Sequence, residues 1–473
     1  MTNPFSRHQK LNATLSPTPE NPYRALYGLR DNPFPALALY NAGDDPRVNG
    51  EIYDAEFRAE EERQFFDLFV KRSTGDDPVR IGFLRLDPQA GGRGNGKSIF
   101  LHRMMMRLNA RDWPAGQGDT DDPERSVLAL HLLPSPRSQS SFHQLLRLVF
   151  ETLCGEETDA GRPRLVQQVD REIRSALLVH LLDAEALSEL AQRPNLEEEL
   201  TTGDGFPELL ADAGIDAPRW RRAAEELLLR ISPMSQGNQF VRDLVERDGS
   251  VERTWRAWRL HGRAGSDPLW RKHGSDWFAN GLVPALMLAG YRRLYVLLDE
   301  FEKIYVHQTT RQREEFLDLF RQVFYERDSV AVRRKYVVSV LSIHPSIETY
   351  LQAHWQRVGL DGMAPIAPNE IARIAVTLGP ATPRLTQHLL VTYMDHFRVP
   401  GDRHRGAAYP FESDALTHIM DKGRYYPRNT LRYAHLVLQH ACAQQQPAPI
   451  TGAFAKRFLD GTADLPDEDD EQA

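Results

Sequence analysis

The stretch Gly91-Gly92-Arg93-Gly94-Asn95-Gly96-Lys97-Ser98 constrains this chain more than any other. It fits G-x-x-x-x-G-K-[ST] at every required position, follows the apolar run 79–86, and opens a helical pattern over Lys97–Asn109. Strand, glycine-rich turn and helix, in that order, is the context in which this motif has a mechanism. Glycines let main-chain N–H groups turn inward without Cβ clashes. The new helix adds its free N–H groups and about half a positive charge. A polyphosphate fits such a cradle, lined by Gly91 through Ile99. Lys97 is expected to reach the β- and γ-phosphates, and the Ser98 hydroxyl to ligate Mg²⁺. With glycine at about 7% of residues, chance produces the motif in on the order of one chain in a hundred of this length.

A phosphate loop needs a carboxylate on a neighbouring strand to hold the metal. The run Leu294-Tyr295-Val296-Leu297-Leu298-Asp299-Glu300 supplies one, because an apolar strand ends there in two acids. Central parallel strands are buried on both faces and read as such runs, and their C-terminal ends face the ligand. Asp299 is therefore the expected Mg²⁺-side acid. Glu300 is placed to orient and deprotonate an attacking water, and Glu302 is a rival base.

Further strands are expected at Ser126–Leu133, Tyr336–Leu341 and, weakly, Met363–Ile366, with helical stretches between them. That alternation predicts an α/β fold with a parallel sheet of five strands. About 160 residues with little strand signal separate the second strand from the third, too many for one crossover, so a helical insertion is expected. The expected segments are a flexible 1–22, a first core part 23–135, an insertion 136–280, a second core part 281–367, a helical lid 368–462 and an acidic tail 463–473.

The chain has 473 residues, a net charge of -8 and two cysteines, Cys154 and Cys442. That balance argues against a surface coated in basic groups for bulk nucleic-acid binding, although it says little about local patches. Two cysteines exclude a disulfide framework and a cysteine-based zinc site. No run approaches the roughly 18–20 apolar residues of a membrane helix, and the N-terminus lacks the apolar core of a signal peptide. The expectation is a cytoplasmic protein with no membrane partner.

The Asp-Glu pair, five strands and helical C-terminal part together resemble the AAA+ ATPases. The likeness is to the initiator-like branch that includes origin-recognition, ExeA-type and TnsC-type proteins. The Gly28-Leu29 and Asn32-Pro33-Phe34 entry is similar to the segment those proteins carry before their first strand. The resemblance implies a five-stranded parallel P-loop NTPase core of the ASCE/AAA+ kind, binding ATP and Mg²⁺. It implies a sensor 1 role for Ser342 or His344, at the end of the fourth strand. It implies a sensor 2 role for Arg428, in Gly423-Arg424-Tyr425-Tyr426-Pro427-Arg428, with Arg384 as a rival; the spacing departs from the family's G-x-P-R by an extra spacer. It places Arg357 where the family carries an arginine finger, in competition with Arg321, Arg333 and Arg334, which would require a homo-oligomer.

The insertion departs from the family pattern. Its run Arg253-Thr254-Trp255-Arg256-Ala257-Trp258-Arg259 puts arginines at helical spacing beside a Trp255/Trp258 stripe. Such groups can grip a phosphate backbone and stack on bases, or form a tryptophan core stripe under a solvated arginine face. The leading expectation is a Mg²⁺-dependent ATPase acting as a switch or assembly factor on DNA or a DNA-bound partner, in replication, transposition or phage defence. The alternative is a signalling or scaffold NTPase of the STAND or KAP kind, whose nucleotide state gates protein binding.

Overall fold

A computed structural model describes residues 21–40, 45–54, 56–71, 79–87, 94–110, 126–134, 141–155, 164–261, 268–306 and 308–462. Its centre is one sheet of five parallel strands, β1 Ile81–Leu86, β2 Val127–Leu132, β3 Arg293–Leu298, β4 Val337–Ser342 and β5 Ala375–Leu378, in the order β2-β3-β4-β1-β5. The first four fall where the apolar runs predict them. The fifth does not. Met363–Ile366 forms no strand, and β5 lies near the start of 368–462, the segment expected to be a helical lid, just after the short helix Pro368–Ile371. Four residues are too few to show a period. The edge of β1 supplies the hydrogen-bond partners that make 375–378 a strand, with Phe83 beside Ala375 and Leu86 beside Leu378.

Successive strand residues point to opposite faces. On one face Leu84, Leu86, Ala129, Tyr295, Leu297, Val340 and Val376 pack against Phe100, Leu101, Met104, Met105 and Leu108 of the helix Lys97–Asn109. Each of these large side chains contributes roughly 1.5–3 kcal/mol relative to exposure. On the other face Phe83, Leu130, Val296, Leu298 and Leu341 meet Leu146, Phe316, Leu351 and Trp355, from the helices Phe142–Cys154, Thr310–Arg321 and Pro345–Arg357. The helix after β1 and the helix after β4 thus cover opposite faces, although β1 and β4 are neighbours. That is a topological switch point, where an open parallel sheet forms its ligand crevice at the C-terminal strand ends.

The chain divides into two compact units. The first comprises the described residues of Met1–Ala59, Gln89–Ile99 and Gly379–Ala473; the second comprises those of Glu60–Pro88 and Phe100–Leu378, and holds the sheet. In the first unit Tyr27, Leu29, Phe34, Ile52 and Phe57 share one core with Leu390, Met394, Leu416, Ala434 and Leu438, from the helices Pro383–Phe397, Ser413–Lys422 and Pro427–Ala443. The N-terminal entry therefore packs with the C-terminal helices.

Between β2 and β3 every element formed by the described residues is a helix. Arg174, fully buried on the helix Leu165–Leu181, donates to the carbonyls of Asp248 (3.1 Å), Thr201 (3.3 Å) and Leu200. It thereby satisfies main-chain acceptors at the end of the helix Leu196–Thr202. One turn earlier, Asp170 accepts from Val251 N (2.7 Å) and Ser250 Oγ (2.6 Å), capping the helix Val251–His261. The ends 1–20 and 463–473 lie outside the described residues.

Candidate phosphate and metal site

Gly91, Gly92 and Arg93 lie outside the described residues; the loop is described from Gly94. In the first unit Gly94 and Gly96 have φ of 94° and 84°, the left-handed region that glycine enters without steric cost. A Cβ at Gly96 would meet no atom within 4 Å, so conformation and not crowding calls for glycine there. At Gly94 both apply, because a Cβ would sit 2.7 Å from Arg428 Cβ. Asn95 between them is buried, while Lys97, Ser98 and Ile99 are half-buried on the opening turn of the helix Lys97–Asn109.

Two arginines hold this loop. The main-chain N–H of Arg428 donates to Gly94 O at 3.2 Å, and its Nε donates to Ala38 O at 3.2 Å. Arg428 is the second residue of the helix Pro427–Ala443, so a free N–H of a helix start finds its acceptor in the loop. Arg384, its rival, is exposed at the start of the helix Pro383–Phe397. Arg58, buried and with no sequence signal to mark it, donates from Nη2 to Asn95 O (3.2 Å) and from Nη1 to Gly379 O (2.9 Å).

In the second unit, Asp299 follows the last residue of β3 and is fully buried. Its N–H continues the sheet by donating to Leu132 O at 2.9 Å, and its Oδ1 accepts from Glu300 N at 2.8 Å. Its Oδ2 lies 3.6 Å from His131 Nε2. His131 is the buried polar residue of an otherwise apolar β2, and that interruption is the signal by which the sequence marks it. Its ring sits 6.0 Å from that of His102, whose pKa is pushed down to about 4 by burial and by the His131 neighbour. Glu300 takes φ 46°, a conformation uncommon outside glycine, asparagine and aspartate and costing on the order of 1 kcal/mol or more. It turns the chain from β3 into the helix Phe301–Val306, with its half-buried carboxylate against the Lys303 ammonium. Glu302, the rival base, is buried.

Ser342 ends β4 beside Leu84 of β1 and is fully buried, and its Oγ has no hydrogen-bond partner among the described residues. His344, two residues on, is half-buried. Arg357 ends the helix Pro345–Arg357, exposed, with Nη1 on Glu314 Oε1 at 2.6 Å. That hydrogen bond, with His354 nearby, holds the Glu314 carboxyl below its ordinary range. Arg321 pairs with Asp318 and Glu326, and Arg333 with Asp328; Arg334 is exposed.

Of the two readings of the insertion's tryptophans, the structure shows the core stripe. Trp255 is buried, stacked on Phe150 at 5.5 Å, and Trp258 packs against Trp277 at 4.2 Å with Nε1 donating to Asp243. Both rings serve the core, because a helix stripe of that width is better hidden from water than left in it. Arg253 pairs with Asp204 and Asp248, and Arg256 with Glu252. Arg259 falls on the same helix, its side chain outside the described residues. Among the described residues no helix is long and apolar enough to cross a membrane.

No protein-family model, curated protein or solved structure matches this chain.

Proposed function

We propose that this chain is a Mg²⁺-dependent ATPase of the AAA+ kind that works as a nucleotide-driven switch. The observation that carries the reading is the run G-x-x-x-x-G-K-S, which follows the β1 segment in the sequence and opens the helix Lys97–Asn109, with Gly94 and Gly96 in the left-handed region. Lys97 would bind the β- and γ-phosphates, and main-chain N–H groups of 94–99 would line them. The donor set suits Mg²⁺: a serine hydroxyl at Ser98 and a carboxylate at Asp299 are hard oxygen ligands of the kind that ion takes alongside phosphate oxygens. Bound Mg²⁺ would neutralise charge building on the transferred phosphate.

Glu300 would orient and deprotonate the attacking water, Ser342 would offer a polar contact near the γ-phosphate, and Arg428 would report lid position. The strained backbone of Glu300 supports its role, since such conformations persist where surroundings over-determine them. Arg357 as a finger on a second copy would first have to leave Glu314.

DNA or a DNA-bound protein is one candidate partner. The packing of Trp255 and Trp258 into the core favours the second reading, a STAND- or KAP-like scaffold in which the insertion meets protein. ATP turnover by wild type, Lys97→Ala and Glu300→Gln, with and without DNA, tests both, together with particle mass in ATP. Turnover lost in Lys97→Ala supports the ATPase reading, and equal turnover in all three would sink it. DNA stimulation separates the first partner class from the second.

A further inference from the structure

We propose that Arg58 is a positioning residue of the phosphate loop, anchoring it from behind and coupling it to the helix Pro383–Phe397. This role rests on the nucleotide-binding reading. A planar trans peptide points its C=O and the next N–H in opposite directions. Arg58 Nη2 holds Asn95 O at 3.2 Å, so the N–H of Gly96 is aimed away from Arg58. The N–H of Arg428 holds Gly94 O at 3.2 Å, so the N–H of Asn95 is aimed away from that anchor. Two successive peptides of the loop are thus fixed by their carbonyls, which leaves their N–H groups turned outward as anion donors.

The Arg58 fork does this rigidly. It is 5% exposed, its guanidinium lies 4.6 Å over the Phe57 ring, and its second arm is spent on Gly379 O at 2.9 Å. A guanidinium spans two carbonyls in one plane, which an ammonium cannot match. Four residues earlier Asp54, also buried, caps the same segment by accepting from Glu56 N (3.0 Å) and Phe57 N (3.3 Å). Its other oxygen lies 2.5 Å from His388 Nδ1, on the helix Pro383–Phe397. One short strap therefore grips the phosphate loop at one end and a C-terminal helix at the other. A shift of the helix is transmitted to the loop carbonyls, and the reverse.

The test uses the full chain and its Arg58→Gln, Arg58→Lys and Lys97→Ala variants, with the Kd of a fluorescent ATP analogue and the melting temperature with and without Mg·ATP. Loss of a charge-assisted bond to the loop predicts roughly tenfold weaker binding in Arg58→Gln. It also predicts a smaller ATP-induced rise in melting temperature, with partial recovery in Arg58→Lys. Unchanged affinity in Arg58→Gln overturns the role. So does a lower nucleotide-free melting temperature with the ATP increment intact, which is what a packing role alone would give. Should Arg58→Gln fail to fold, Arg58→Lys carries the test, and wild-type affinity in it overturns the role. Equal affinity of wild type and Lys97→Ala overturns the nucleotide reading itself, and this role with it.

Discussion

The main chain of Arg428 is hydrogen-bonded to Gly94 O at 3.2 Å, so close that Gly94 has no room for a Cβ. A residue near the C-terminus thereby closes on the loop that follows the first strand. Within that unit Arg428, at the start of the helix Pro427–Ala443, meets Gly94 through its backbone, while its Nε donates to Ala38 O.

This contact separates the two sensor 2 candidates. Arg428→Ala keeps the N–H bond and loses the side chain, so nucleotide binding should survive while turnover falls by about 10²-fold. Arg384→Ala, at an exposed helix start, should change turnover less than about twofold. Steady-state ATPase rates decide it, and a loss confined to Arg384→Ala would reverse the assignment.

Glu300→Gln keeps the shape of the side chain and removes its basicity. Turnover should fall by about 10²-fold or more, with Kd for ATP within a factor of about three. Glu302→Gln should leave turnover near wild type. If the second variant is the inactive one, the base is Glu302.

Arg174→Met should unfold the protein more readily without touching the loop. It strips the donors from Asp248 O and Leu200 O inside the insertion, at a cost of roughly 3 kcal/mol. Urea denaturation gives the value, and a change below about 1 kcal/mol would mean those carbonyls find water.

His102 makes a pH prediction with a definite sign. Its folded pKa of about 4 lies below the ordinary 6.5, because burial and His131 oppose its charging. Between those values the unfolded chain binds the extra proton, so this stabilisation is present above pH 6.5 and lost as pH falls towards 4. Wild type should lose about 2 kcal/mol more than His102→Gln between pH 7 and pH 5. Parallel stability curves for the two proteins would show that His102 titrates normally.

The sequence alone determined what is local. A glycine-rich turn needs glycines at named places, and a two-sided buried strand needs an unbroken apolar run. The glycines at 94 and 96, four of the five strands and the acidic end of β3 were therefore legible residue by residue. The tertiary structure decided what depends on a partner distant in sequence. β5 exists because β1 has an open edge, Trp255 and Trp258 are core because Phe150 and Trp277 meet them, and Arg357 is committed to Glu314. Arg58 reads in the sequence as one arginine among many, and only the arrival of Asn95 O and Gly379 O at its two arms distinguishes it. The physical reason is the same throughout: backbone conformation and strand burial are written in neighbouring residues, whereas a hydrogen bond takes its meaning from whichever acceptor the fold brings within 3 Å or so.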